Sequence, residues 1–431
     1  MTDGPLDLSL VLDEVVDWRV KAYPLAADPL PIRAVGSQGW RALGGDLALP
    51  VMLLREGALA HNIELMATWC AAHAVSLAPH TKTPVAPQIA QRQLAAGAWG
   101  LTVADVHQAR VLRAVGAKRL LLANELVDPS GIAWVVHEVS ADPQLELYCL
   151  VDSLAGAALL EDGLVGAGLT TAVPVLVELG IPGGRCGCRT IDEAVRLAHA
   201  VSAMPHLSLA GVEAYENLFP PAGVPETISR VDLLLDHLRD LAVQLDAAGL
   251  LAHRQEILVS AGGSMWFDRV AARLCGPWDL SRPVRTVVRA GSYVTHDAAA
   301  YEQLSPLADR STRKRRLQQA LELWAAVLSR PEPELAVLGF GKRDAAHDRG
   351  FPIPFAARTA KGIHPVAAGE FEILSLNDQH ARLRIPADSP LQVGDLVGSH
   401  VSHPCTSFDN WRVIPLVDDD YVVTDVVRSY L

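Results

Sequence analysis

The chain has 431 residues, half of them hydrophobic and a fifth charged, with a net charge of −12. That length predicts two domains with large cores and excludes a disordered or fibrous protein. The acidic balance, with no basic stripe beyond Lys314-Arg315-Arg316, excludes a nucleic-acid partner.

From Met1 to Asp17 the chain is acidic and lacks the basic and apolar regions of a signal peptide. The most apolar stretches run to about ten residues, half of what a membrane helix needs, so no membrane span is expected. Six cysteines without a secretion signal, two of them in the CxC Cys186-Gly187-Cys188, read as reduced thiols of a cytoplasmic protein.

Residues 1–45 do not fit the period that follows, and are expected to pack on the second domain or on the floor of the first. Between about 46 and 282 one unit recurs: a short β-branched or Leu-rich run, then an Ala/Leu-rich helical stretch. The runs are Val51–Leu54, Ser76–Ala78, Gly100–Val103, Leu120–Leu122, Leu145–Val151, Val173–Leu179, Leu207–Val212 and Glu256–Ser260. Helical periodicity marks Leu59–Ala72, Pro87–Ala96, Asp105–Val115, Asp192–Ala203 and Ile228–Ala248. Eight such units predict an α/β fold, a (β/α)8 barrel. A doubly wound sheet is the alternative, but no GxGxxG follows the first run. From 283 to 431 the texture changes to short alternating runs, Val284–Val294, Leu335–Phe340, Glu370–Leu376, His380–Ile385, Leu396–His400 and Arg412–Val417. One helix is expected among them, over Lys314–Ser329. This is a mainly β second domain.

Chemistry in a barrel belongs to the C-terminal ends of its strands. Those ends carry Pro79-His80-Thr81-Lys82-Thr83, Asn124-Glu125, Glu178 leading into Gly183-Gly184-Arg185-Cys186, Glu213-Ala214-Tyr215-Glu216-Asn217 and Ala261-Gly262-Gly263-Ser264. Small residues before a helix start expose N–H groups that suit a phosphate, although a tight turn gives the same pattern. Lys82 reads as a solvated loop charge or as a desolvated amine open to Schiff-base chemistry. Arg185, between glycines, reads as a surface residue or as a partner for a pyridine nitrogen. Lysine and phosphate site together suggest pyridoxal phosphate. His403 and Cys405, two apart, read as a turn or, on an extended segment, as a zinc pair on one side. The Gly341–Asp344 and His347–Gly350 stretch reads as a solvated polar loop rather than as a lining of the substrate entrance, the alternative.

Taken together, Pro79–Thr83, Ala123–Glu125, Arg185–Gly187, Gly211–Tyr215, Gly262–Ser264, Arg289–Val294 and Gly394-Asp395 through His403–Cys405 resemble the D-threonine aldolase and D-serine dehydratase family. These are alanine racemase-like pyridoxal-phosphate enzymes. The resemblance covers roughly 50–300 and 385–431. It implies that Lys82 holds the cofactor and is catalytic, with Tyr215 beside it and Arg185 facing the pyridine nitrogen. Cofactor contacts are then His80, Lys82, Arg185, Tyr215, Gly262, Gly263 and Ser264. It also implies a divalent metal, expected as Zn²⁺, on His403 and Cys405, the family pairing His with Asp in aldolases and with Cys in D-serine dehydratase. Two departures concern substrate contacts: Pro84 stands where a second His is common, and Glu178 where Asp or Thr is.

The expected function is a metal-assisted lyase acting on D-configured 3-hydroxy amino acids, leaning to dehydration to a 2-oxo acid and ammonia. Aldol cleavage, racemisation (with Tyr293 as the second base) and a non-catalytic pyridoxal-phosphate carrier are the alternatives. A homodimer is expected, the β domain of one subunit covering the other's barrel mouth.

Overall fold

The computed structural model describes residues 6–216, 219, 223–308 and 315–431. Within them the chain forms two compact units, one built chiefly from 66–82 and 93–291, the other from 7–65, 83–92 and 292–431. Among the described residues, no helix is long and apolar enough to cross a membrane.

Strands β1 (Val15–Val16) and β2 (Leu30–Pro31) form a small antiparallel pair in the second unit, and β3 (Val51–Arg55) follows them. The first unit is the barrel. Its strands are β4 (Ser76–Leu77), β5 (Leu101–Val103), β6 (Arg119–Glu125), β7 (Glu146–Val151), β8 (Val173–Leu179), β9 (Leu207–Ala214), β10 (Ile257–Ser260) and β11 (Val284–Val288). They pair in the order β4-β11-β10-β9-β8-β7-β6-β5. A parallel bridge between His80 and Thr102, with Thr102 N–H on the Pro79 carbonyl at 3.0 Å, joins the last pair. Eight parallel strands thus close on themselves.

The barrel interior is a buried cluster of Ala78, Leu121, Tyr148, Leu150, Leu176, Ala210, Leu258 and Val287. Each Leu or Val buried there contributes about 1.5–3 kcal/mol. Where β9 and β10 approach, only glycine fits: a Cβ on Gly211 would lie 1.8 Å from the Leu258 carbonyl oxygen. Outside, the helix Ile191–Ser202 shows how the crossovers are specified. Thr190 and Glu193 make a capping box, and Ala194, Leu197, Ala198 and Val201 recur on the buried face.

The count of eight agrees with expectation, but the membership is shifted by one. Val51–Leu54, expected as the first barrel strand, is β3 of the second unit, and β11, expected in the β domain, is the eighth barrel strand. Both are short apolar runs, and a buried parallel strand has the same pattern as the centre of a mixed sheet.

The second unit carries β12 (Leu321–Glu332), β13 (Leu335–Leu338), β14 (Ile353–Thr359), β15 (Gly362–Pro365), β16 (Glu372–Leu376), β17 (Ala381–Arg384), β18 (Leu396–His400), β19 (Val413–Val417) and β20 (Val423–Arg428). The helix expected over Lys314–Ser329 is not there. Lys314 lies outside the described residues, and most of the remainder is β12, paired with β3 and β18. Leu-Glu-Leu-Trp-Ala-Ala has helix-forming composition, yet Leu321, Leu323, Trp324 and Ala325 are buried between neighbours, and tertiary pairing overrides propensity. The N-terminal segment packs in this unit too. Ala42 N–H bonds the Tyr421 carbonyl at 2.9 Å, and Arg428 donates to Glu14 at 2.7 Å.

Candidate functional site

At the barrel's C-terminal end, the turn after β4 carries His80, Thr81 and Lys82. Thr81 Oγ1 donates to the Thr102 carbonyl and Thr102 Oγ1 to that of Ala78, fixing the turn. Gly291, after β11, lets it pass close: a Cβ there would meet the His80 carbonyl at 2.2 Å. Burial first, then the positive charges of Lys82, Arg289 and Arg185, hold His80 well below its ordinary value. Its imidazole is therefore neutral, and its Nδ1 has no hydrogen-bond partner among the described residues.

Arg185 lies on the loop after β8, its guanidinium 5.0 Å from the centre of the Tyr215 ring. Sequence reasoning missed what shapes this loop. Arg189 donates to the carbonyls of Arg185, Cys186 and Gly187 at 2.6–2.8 Å. Gly187, at φ 97°, passes so near Gly180 that a Cβ would sit 2.3 Å from its N.

Gly262 and Gly263 follow β10, with Ser264 next and the helix Phe267–Leu274 beyond. Their N–H groups were expected to meet a phosphate. In the structure both donate to the fully buried Glu216 carboxylate, at 2.9 and 2.6 Å. A side-chain carboxyl group sits on these donors, and it is the chain's own. A phosphate bound to the same two donors would have to displace it. A Cβ on Gly263 would touch the Tyr215 ring at 3.2 Å, so the cradle and Tyr215 adjoin. Asn217, singled out with this strand end, lies outside the described residues.

Strands β6 to β9 end in acids. Glu213 forms a buried ion pair with Arg289, which also donates to Ser260 Oγ at 2.5 Å. Burial first, then Glu213 and Glu125, push Glu178 up to about 10, so it is a neutral acid. Glu125, Asp152 and Cys186 bring ligand atoms within 4.8 Å of one another. Burial and then Glu125 push the Cys186 thiol up to about 12.

The second unit holds the other expected residues. His403 is extended, but Cys405 lies in the first turn of the short helix Pro404–Phe408, so the expected alternation along one strand does not apply. The two side chains nevertheless hydrogen-bond. Burial alone would raise the Cys405 thiol; hydrogen bonds from His403, Thr83 and Ser292 outweigh it and lower it. Thr83 Oγ1 is 3.2 Å and Ser292 Oγ 3.5 Å from the sulfur. His403 Nδ1 is 2.6 Å from Asp348 Oδ2. Imidazole beside a thiol inclined to ionise is a donor set for a borderline-soft cation. Asp348 belongs to the loop read as solvated, and no spacing in the sequence links it to a residue 55 positions away.

The residues present suit the expected cofactor in two respects: a pair of N–H donors already accommodates a carboxyl group, and a neutral imidazole keeps a nitrogen unpaired.

The alanine racemase N-terminal domain family matches residues 54–266, and the putative serine dehydratase domain family matches 320–417. A D-threonine aldolase of Arthrobacter sp is 27% identical over 387 residues, 88% of this chain and 90% of that protein. The crystal structure of D-threonine aldolase from Filomicrobium marinum superposes with a TM-score of 0.71 at 24% identity, covering 89% of this chain and 95% of that one. D-threo-3-hydroxyaspartate dehydratase from Delftia sp. HT23 gives 0.67 at 21%, covering 89% and 97%. A cysteine-to-alanine mutant of a dehydratase of that name has been solved in a metal-free form.

Proposed function

We propose that this chain, which belongs to the D-threonine aldolase and D-serine dehydratase family and is a pyridoxal-phosphate-dependent lyase, removes the 3-hydroxyl of D-configured 3-hydroxy amino acids with the help of a divalent cation. The observation that carries the reading is the donor pair His403–Cys405, a histidine with a thiol rather than a carboxylate.

When bound, pyridoxal phosphate supplies the electron sink for charge at Cα, and zinc supplies a Lewis acid for the hydroxyl. Lys82 would hold the cofactor, and its amine would be the base for the Cα proton on one face. Gly262, Gly263 and Ser264 would hold the phosphate in place of the Glu216 carboxyl group, with His80 and Tyr215 as neighbours. Arg185 cannot accept a proton, so it leaves the pyridine nitrogen unprotonated. An unprotonated ring would be the weaker electron sink, so activation of the leaving group would matter more. His403 and Cys405 would hold the cation, which would polarise the 3-hydroxyl. Loss of water followed by hydrolysis gives a 2-oxo acid and ammonia. The cysteine-to-alanine dehydratase in metal-free form is consistent with a thiol serving a metal in a protein of this kind.

Cleavage between Cα and Cβ is the second reading, favoured by the 88% coverage of the Arthrobacter D-threonine aldolase match. Incubating the protein with D-serine, D-threonine and 3-hydroxyaspartate, with and without chelator, separates the two. A 2-oxo acid and ammonia, lost on chelation, support dehydration; glycine with an aldehyde or glyoxylate supports cleavage. Racemised substrate alone would remove both.

A further inference from the structure

A histidine that ligates a metal through one nitrogen has a second to dispose of, and the partner of that second nitrogen fixes both tautomer and ring rotation. His403 Nδ1 has such a partner, Asp348 Oδ2, at 2.6 Å. The carboxylate is itself held, because its other oxygen accepts from Thr406 Oγ1 at 2.9 Å. Thr406 lies on the same short helix as Cys405, so one turn carries both the thiol and the brace of the brace. The loop bearing Asp348 is tied to the histidine's own segment by Ser402 Oγ, which donates to the Gly350 carbonyl at 2.7 Å. Gly350 turns there at φ 104°, a conformation that favours glycine.

We propose that Asp348 is a positioning residue for the cation site: it accepts the Nδ1 proton of His403 and locks the ring with Nε2 toward Cys405. The inference rests on reading His403 and Cys405 as the cation pair. A casual surface ion pair would look different. The His403 side chain is only 12% exposed, whereas Asp348 is 46% exposed and has both oxygens engaged. Thr406 Oγ1 also lies 3.2 Å from Nδ1, so ring, carboxylate and hydroxyl form a closed hydrogen-bonded set, which two loosely paired surface charges do not do. Asp348 touches neither substrate nor cofactor in this account; it acts through His403.

The test uses the full chain loaded with pyridoxal phosphate, in the wild type and in Asp348→Ala, Asp348→Asn and Thr406→Val. Zinc affinity is measured by competition with a chromophoric chelator, and cofactor absorbance and melting temperature are followed as controls. Asp348→Ala is expected to weaken zinc about 10–100-fold, the usual cost of removing such a partner, with the cofactor spectrum unchanged. Asp348→Asn keeps an acceptor oxygen for the Nδ1 proton and should recover most of that loss. Thr406→Val should fall between the alanine variant and wild type. Cobalt substitution reads the ligands directly: the thiolate charge-transfer band and the ligand-field bands should keep their positions in Asp348→Asn.

Zinc affinity within twofold of wild type in Asp348→Ala overturns the proposal. So does a changed ligand-field pattern in Asp348→Asn, which would make Asp348 a ligand. If Asp348→Ala melts too low to assay, the asparagine variant decides: a loss as large as removal of His403 overturns positioning. A wild-type chain that binds no zinc refutes the cation pair itself, an outcome distinct from failure of Asp348 alone.

Discussion

Glu178 and Glu216 show how a strand end can hold an acid for two different purposes. Glu178 is 2% exposed and keeps its proton to about pH 10, because burial and the charges of Glu213 and Glu125 oppose ionisation. The unfolded chain releases that proton near the ordinary carboxylate value. Between the two values the folded state binds more protons, so stability falls as pH rises, by up to about 1.4 kcal/mol per pH unit. Glu178→Gln keeps the shape and removes the titration. Its melting temperature should fall less than the wild type's between pH 6 and pH 9; parallel falls would place the proton elsewhere. Glu216 instead places its carboxyl oxygens on the Gly262 and Gly263 donors. Removing its charge should tighten pyridoxal phosphate, by about tenfold in Glu216→Gln, because like charges no longer compete for one cradle. Absorbance titration reads this, and weaker binding would mean that the carboxylate stays while phosphate sits elsewhere. At Cys405, substitution by Ala should abolish turnover of 3-hydroxy-D-amino acids while borohydride still fixes the cofactor to the Lys82 peptide.

Elements were legible where pattern and packing agree. The helix Ile191–Ser202 carries its start signal and its buried stripe in adjacent residues, and it appears within a residue or two of Asp192–Ala203. Val51–Leu54 and Val284–Val288 were equally visible as strands, but nothing in an apolar run names its neighbours, so each was given to the wrong sheet. The stretch Leu321–Glu332 failed for a different reason: its local preference and its pairing disagree, and pairing with β3 and β18 decides. The site follows the same division. Lys82, Arg185 and Gly262 stand at strand ends that the period locates. Glu216 and Asp348 were missed because their roles depend on partners 46 and 55 residues away, Gly262 and His403. Where packing is tightest, sequence can be tested directly. Gly211→Ala drives a methyl group into the Leu258 carbonyl and should break the β9–β10 register, costing at least about 2 kcal/mol. Urea titration of the variant would show no loss if the strands can part without cost.

At the scale of the molecule the chain does not run through one unit and then the other. It passes between them near 65, 82, 92 and 291 before finishing in the second. An excision at 46–282, the boundary that the change in texture invites, would carry β3 away from its sheet and leave the barrel without β11. Ser76–Leu77 and Ile257–Ser260 would both lose a neighbour. That fragment should be protease-sensitive and lack a fixed near-ultraviolet dichroism signal, whereas the whole chain should have both resistance and signal. A stable, pyridoxal-binding fragment would show that seven strands suffice.

Barrel closure has a consequence for how the protein is made. Ser76 pairs with Val287, so the first barrel strand leaves the ribosome roughly two hundred residues before its partner. At ordinary elongation rates of about 5–20 residues per second, that interval is roughly ten to forty seconds. Throughout it, one edge of β4 has no permanent neighbour, and the growing sheet ends in unpaired N–H and C=O groups that can capture another chain. The nascent chain that stops short of β11 therefore carries an open sheet edge, and it is there that a chaperone or a faster ribosome would change the yield.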